Sequence, residues 1–338
     1  MHFLFFSNAL KASLFLMYDC NVCIGEKVPQ PPNQFKASSL QETTLSKDDE
    51  RITKIVITEE AYSTRYGFEV CTEDEKAFFG ICSAIRQCGE AARSNQALIH
   101  RSLKQDGSIL TETDLAVSVA IIGRLRALSP DCNIITEEID LHDFSDDKRY
   151  TFVLDPIDGT DAYSQGLPAW CVALGILDSN RHPCGAVIYA PRFGAGTQDL
   201  FICSMPGDER IFLNGKLHRT PEHYDIPRQL VMGSNMLRFV DMRPYKGKIR
   251  CFGSSIIHEI APAVFSNLDC TINPYCFAWD VAAAHAIVEK SGLTLRYFNG
   301  DILEYDDRLL LERNEIRMPI LVGSAQSVKW MQDNLIMY

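Results

Sequence analysis

Asp155-Pro156-Ile157-Asp158-Gly159-Thr160-Asp161 decides the reading of this chain. Thr151-Phe152-Val153-Leu154, just before it, is apolar and rich in strand formers, and predicts a short buried strand. Pro156 fixes its own φ and has no N–H, so the strand is expected to stop there. Gly159 permits a sharp turn, and Thr160 can begin a helical turn with free N–H groups. Two hard carboxylate ligands thus stand beside an anion-binding corner. That pairing suits Mg²⁺ holding a phosphate, because Mg²⁺ takes one or two carboxylates, waters and phosphate oxygens. Alone, a D-P-x-D stretch reads better as an ordinary acidic turn, so the rest of the chain has to decide.

The chain has 338 residues, enough for two packed domains or one large one, and 46% of them are hydrophobic. The net charge of −11 speaks against a nucleic-acid polymer as partner, because no basic stripe offsets it. Of the 12 cysteines, Cys82, Cys171, Cys203 and Cys270 lie in apolar runs, where a free thiol behaves as a small hydrophobe. This predicts a reducing, cytoplasmic setting. Cys20-Asn21-Val22-Cys23 has no second pair or nearby His to make a zinc site.

Residues 1–70 read as an N-terminal extension, partly linker, with Pro29–Pro32 and the polar stretch Ser38–Asp49 inside it and one strand expected over Arg51–Ile57. The apolar runs Phe3–Phe6 and Leu14–Met17 fall short of the roughly 18 residues of a bilayer span. Membrane-surface contact through residues 1–20 stays open as an alternative to packing on the domain. Residues 71–190 are expected to form an N-terminal α+β domain that carries the metal ligands, and 191–338 an α/β domain that completes the site.

Helical spacing runs from Glu73 to about Leu103. A turn follows at Lys104–Ser108, then a second helix capped by Thr113 or Asp114. Asn133–Thr136 predicts a strand ending in Glu137-Glu138. Trp170–Leu177, Gly185–Tyr189, Leu200–Cys203 and Arg210–Leu217 follow as strands, the last folded about Asn214-Gly215. Beyond them the pattern gives helices at Ser254–Phe265, Asp280–Lys290 and Ala325–Leu335, with a strand at Ile320–Val322.

Five acids follow an apolar strand or begin a helix: Asp114, Glu137, Asp155, Asp158 and Asp280. Singly, each is a cap or a strand-end charge. Together they have the composition of a two-metal cage.

Asp155-Pro-Ile-Asp-Gly-Thr160 and Trp279-Asp-Val-Ala-Ala283 resemble the two signature motifs of the inositol monophosphatase family. So do Lys104-Gln-Asp-Gly-Ser with Leu110-Thr-Glu-Thr-Asp114, and Ile135-Thr-Glu-Glu138, in the same order over residues 73–336. The resemblance implies a layered αβαβα sandwich, of the kind shared with fructose-1,6-bisphosphatase. It also implies a homodimer and Mg²⁺-dependent, Li⁺-sensitive hydrolysis of a small phosphorylated substrate with two or three Mg²⁺ ions. By the same resemblance Glu137, Asp155 and the Ile157 carbonyl hold the first ion, and Asp155, Asp158 and Asp280 the second. Asp114 and Thr160 orient the attacking water, with Glu138 as a supporting acid. Gly159, Thr160 and Asp161 face the phosphate, while Gly253, Ser254 and Ser255, in Arg250–Ser255, form a substrate-side loop. In the inositol-hydrolysing branch a Glu seven residues before the second-motif Asp binds ring hydroxyls; Asn273 stands there in this chain. Gly166–Trp170 is closer to the histidinol-phosphate branch, and Ala284–Ile287 to the bisphosphate nucleotidases. The implied substrate is therefore a polyol or amino-alcohol phosphate. A bisphosphate nucleotidase and a catalytically silent phosphate-ligand binder are the alternatives.

Overall fold

The structure is a computed structural model; it describes residues 72–98, 101–103, 109–196 and 198–338. The N-terminal extension, its expected strand at Arg51–Ile57 and the Lys104–Ser108 turn lie outside the described residues.

Helix α1 (Glu73–Asn95) starts at Thr72, whose side chain accepts from the Glu75 N–H while the Glu75 carboxylate accepts from the Thr72 N–H. It ends at Asn95 and passes through a short 3₁₀ turn, earlier than the apolar spacing predicts. Residues Arg101–Leu103 instead form strand β1, paired with β2 (Ile109–Thr111). Helix α2 (Glu112–Leu128) is capped by Thr111 rather than by Thr113 or Asp114.

The first sheet has seven strands in chain order: β3 (Cys132–Thr136), β4 (Tyr150–Asp158), β5 (Cys171–Leu177), β6 (Pro183–Ala190), β7 (Leu200–Ser204), β8 (Phe212–Leu213) and β9 (Lys216–Leu217). Only β3 and β4 run parallel; the later neighbours are antiparallel. A short helix α3 (Thr160–Ser164) follows β4. The sheet continues past residue 190 to Leu217. The last two strands turn on Asn214 and Gly215, both with positive φ (48° and 71°), as a tight hairpin of this kind needs.

A second sheet takes the order β12 (Lys248–Arg250), β10 (Gln229–Met232), β13 (Cys270–Asn273), β15 (Ile320–Gly323), β14 (Thr294–Tyr297). Its first three strands are mutually parallel, and β15 runs antiparallel to both its neighbours, β13 and β14. Strand β11 (Val240–Asp241) pairs with β16 (Ile336–Met337) outside it. Helices α4 (Ser255–Val264) and α5 (Ala282–Lys290) fill the space between the sheets. A short α6 (Asp307–Leu310) follows, and α7 (Ala325–Asn334) covers the far face of the second sheet. Helices α1 and α2 cover the far face of the first. The layers therefore read αβαβα. Apolar side chains fill each interface: Ile85, Val117 and Leu174 in the first, Ile188, Ile257 and Ile287 in the next, Leu230, Ile272 and Met331 in the last.

The nine described cysteines are free, and all but the exposed Cys251 lie in or beside the core, as their apolar neighbours predict. Among the described residues no helix is long and apolar enough to cross a membrane.

Helix α5 sits directly on β5 at Gly175. A Cβ there would lie 2.7 Å from the backbone of Ala282 and Ala283. Gly175→Ala is expected to push α5 outward and lower unfolding stability by about 1–3 kcal/mol, the usual cost of overpacking a dense interior. The denaturant midpoint checks this; a change under about 0.5 kcal/mol, the range of ordinary surface substitutions, would show that the contact is not tight.

Candidate metal and phosphate site

The parallel pairing of β3 and β4 sets Thr136 opposite Leu154, and the Glu137 N–H donates to the Leu154 carbonyl at 3.3 Å. Glu137 thereby stands beside Asp155. Strand β4 does not stop at Pro156. It runs on to Asp158 through an irregularity in its pairing with β5, where Asp155 faces Ala173 and Asp158 faces Cys171. Three steps along β4 thus match two along β5. Pro156 falls in this bulge, the one place in a paired strand where a missing N–H costs little. Residues three apart on a regular strand point to opposite faces. The extra residue returns Asp158 to the face of Asp155.

Asp280, just ahead of α5, completes the group. Ligand oxygens of Asp155, Asp158 and Asp280 all lie within 4.8 Å of one another. Asp280 is no helix cap: its carboxylate accepts from the Phe277 N–H at 2.7 Å. Asp155 is 1% exposed, and its Oδ1 is buried without a hydrogen-bond partner. Burial first, then the charges of Glu137, Asp158 and Asp280, push its carboxyl well above the usual range. A buried, orphaned carboxylate oxygen among other carboxylates is the donor set of a hard divalent cation, so the residues fit Mg²⁺.

Asp158 meets the start of α4. Its carboxylate accepts from the Ser254 hydroxyl, from the Ser255 N–H at 3.1 Å and from the Ile256 N–H at 2.7 Å. Burial pushes it up to about 6 against the downward pull of these bonds. Ser254 and Ser255 therefore hold Asp158 in place, a contact with no signal in the local sequence because Asp158 lies 96 residues from Ser254 in the chain. Gly253 packs its carbonyl against Gly159. Gly159 has φ +90°, and a Cβ on it would lie 2.8 Å from the Gly253 oxygen and 2.9 Å from that of Ala169, so no other residue fits.

Asp114 is wholly buried at the start of α2, where Thr111 donates its N–H to Oδ2 at 3.0 Å and its hydroxyl to the same oxygen. The other oxygen lies 3.2 Å from the Thr160 hydroxyl, which is also 2.9 Å from the Ile157 carbonyl. Thr160 has one proton to share between the two. The Ile157 side chain belongs to the core. Glu137 and Glu138 are partly exposed at the end of β3. Asp161 is exposed, and its carboxylate accepts from the side chain of Gln165, just past α3, at 2.8 Å.

Asn273 is corrected more sharply. It is wholly buried in β13. Its amide donates to the Ser255 carbonyl and to Glu259, each at 3.0 Å, and its oxygen meets His258 Nδ1 at 3.0 Å. The Phe252 N–H donates to His258 Nε2 at 2.9 Å, so the ring is neutral with its proton on Nδ1, and burial lowers its pKa to about 4. Asn273 thus neither caps the turn at Pro274 nor offers a free group to a ligand. It braces the 252–255 turn that holds Asp158. No spacing rule marks such a residue, because its partners come from another element.

A sequence model of the inositol monophosphatase family matches residues 72–329. A Thermotoga maritima protein named fructose-1,6-bisphosphatase/inositol-1-monophosphatase is 28% identical over 226 residues, 64% of this chain and 82% of its own. A Haemophilus influenzae 3′(2′),5′-bisphosphate nucleotidase is 24% identical over 243 residues, 70% of this chain and 87% of its own. A staphylococcal inositol monophosphatase, solved as a lithium-soaked inhibitory complex, shares the fold with a TM-score of 0.64 at 15% identity, covering 78% of this chain and 96% of that one.

Without a divalent cation the site should oppose folding as pH rises. The folded value of Asp158, about 6, lies above its ordinary 3.8, so the folded state binds the proton more tightly. Stability in EDTA should fall by about 1–3 kcal/mol between pH 4 and pH 7, and Asp158→Asn should flatten the slope. Urea titrations across that range check the sign.

Proposed function

The chain belongs to the inositol monophosphatase family and is a phosphatase, and on that premise we propose that it hydrolyses a small polyol or amino-alcohol phosphate with Mg²⁺. The observation that carries this is the bulge in β4, which gathers Asp155, Asp158 and Asp280 around an orphaned buried oxygen. Asp155 would be shared between two ions, with Glu137 and the Ile157 carbonyl on the first and Asp158 and Asp280 on the second. Mg²⁺ bound there would supply neutralisation of the phosphate and a lowered pKa for a water.

The remaining work belongs to the chain. Gly159 and Thr160, at the start of α3, would offer N–H groups to the phosphate. A water that gives a proton to Thr160 Oγ1 would send the Thr160 proton to Asp114 Oδ1 across the 3.2 Å between them. Asp114 is fixed for this by the two Thr111 bonds to its other oxygen. Glu138 would add charge at the rim. With Asn273 engaged by the protein, specificity for the alcohol rests on other residues.

The likeness to a bisphosphate nucleotidase favours a second reading, hydrolysis of a 3′-phosphorylated nucleotide. Phosphate release from inositol 1-phosphate, histidinol phosphate and 3′-phosphoadenosine 5′-phosphate, with and without Mg²⁺, separates the two. Release from none would leave a silent phosphate-ligand binder.

Asp155→Asn should keep the fold and cut turnover by more than about 100-fold, beyond what an outer partner of a metal ligand contributes. Near-normal turnover at saturating Mg²⁺ would remove Asp155 from the site. Li⁺ should inhibit by taking the position of Asp155, Asp158 and Asp280 without stabilising the leaving oxygen, and less so in Asp280→Asn. Steady-state rates over a Li⁺ series check it.

A further inference from the structure

Glu137 and Asp280 come from segments far apart in the chain, one at the end of β3 and one before α5. Arg313 bridges them. Its guanidinium donates to the Thr136 carbonyl at 2.9 Å and to the Glu137 carbonyl at 2.7 Å. The same group lies over the Trp279 ring, 4.7 Å from its centroid. Trp279 is 5% exposed and stacks on Phe277 at 4.9 Å with the rings 8° from parallel. Phe277 in turn donates its N–H to Asp280 at 2.7 Å.

Arg313 is itself held. It has φ +55°, a conformation that a non-glycine residue keeps only where its surroundings demand it. Just after it, Ile316 pairs with Cys276, the Ile316 N–H donating to the Cys276 carbonyl at 2.7 Å and the Cys276 N–H returning to Ile316 at 3.3 Å. The turn that presents Arg313 is thus tied to the segment that presents Asp280. The flat fork of a guanidinium bonds two carbonyls side by side while its face lies on an indole, a planar geometry that a tetrahedral ammonium does not reproduce.

We propose that Arg313 is a positioning residue for the divalent-cation site, fixing the end of β3 that carries Glu137 relative to the Trp279-Asp280 segment. The proposal rests on the reading of Glu137 and Asp280 as ligands of one site. It gives Arg313 no contact with substrate, so its loss should weaken cation binding rather than substrate binding.

The experiment is isothermal titration of Mg²⁺ into the full chain, wild type against Arg313→Gln and Arg313→Lys. It is joined by KM at saturating Mg²⁺ and by the unfolding midpoint in EDTA. The expected result is cation affinity weakened by about tenfold or more in both variants, in the range of outer-shell partners. KM should stay within about twofold, and methylguanidinium should partly restore affinity in Arg313→Gln. If Arg313→Gln fails to fold, Arg313→Lys carries the test, since it keeps the charge and stem. Wild-type affinity in Arg313→Lys, or affinity and KM that shift together, would overturn the proposal. A wild-type chain that binds no Mg²⁺ would instead sink the metal-site reading and this inference with it.

Discussion

Asp155 and Asp158 cannot share a face of a regular strand, and the site depends on their doing so. The bulge at Pro156-Ile157 resolves the conflict by letting β4 take three steps against two of β5. Its other product is Ile157, whose side chain goes into the core beneath α1 and α2 while its carbonyl stays with Thr160. One irregularity therefore places two carboxylates, a carbonyl and the start of α3. The proline makes the irregularity local, since it has no N–H to offer the ladder.

Gathering carboxylates in a dry place opposes folding unless something offsets it. Asp158 is offset by the protein, through the Ser254 hydroxyl and two N–H groups of α4. Asp155 is not: its Oδ1 is buried without a hydrogen-bond partner, and burial raises its carboxyl pKa. The difference suits their proposed roles: a carboxylate shared by two ions needs its lone pairs free, whereas one at the edge benefits from a fixed orientation. The surrounding layers supply the rigidity. Helix α4 is pinned to β13 through Asn273, His258 and Glu259, and α5 rests on β5 at Gly175 with no room for a methyl group.

Much of this was legible in the residues. The strands at Asn133–Thr136 and Thr151–Leu154, the helices ending near Lys290 and beginning near Ala325, and the Asn214-Gly215 hairpin all appear where period and turn chemistry put them. The acids Glu137 and Asp158 do stand at strand ends, whereas Asp155 lies inside β4 and Asp114 inside the first turn of α2. Where the local reading failed, a neighbour decided. Apolar spacing suggested helix as far as Leu103, but Arg101–Leu103 pairs with Ile109–Thr111. Pro156 suggested a strand end, yet β5 continues the pairing beyond it.

The sequence by itself determined most of the elements and the family, because those depend on contacts a few residues long and on motifs in fixed order. Tertiary structure alone decided which side chains are spent on holding others. Ser254 and Ser255 turn to Asp158, Asn273 to α4, and Arg313 to a strand end 176 residues away in the chain. Each of these side chains could satisfy its donors and acceptors with water or ligand just as well. Burial removes the water, and the partner that remains is whichever one the packed layers bring within about 3 Å.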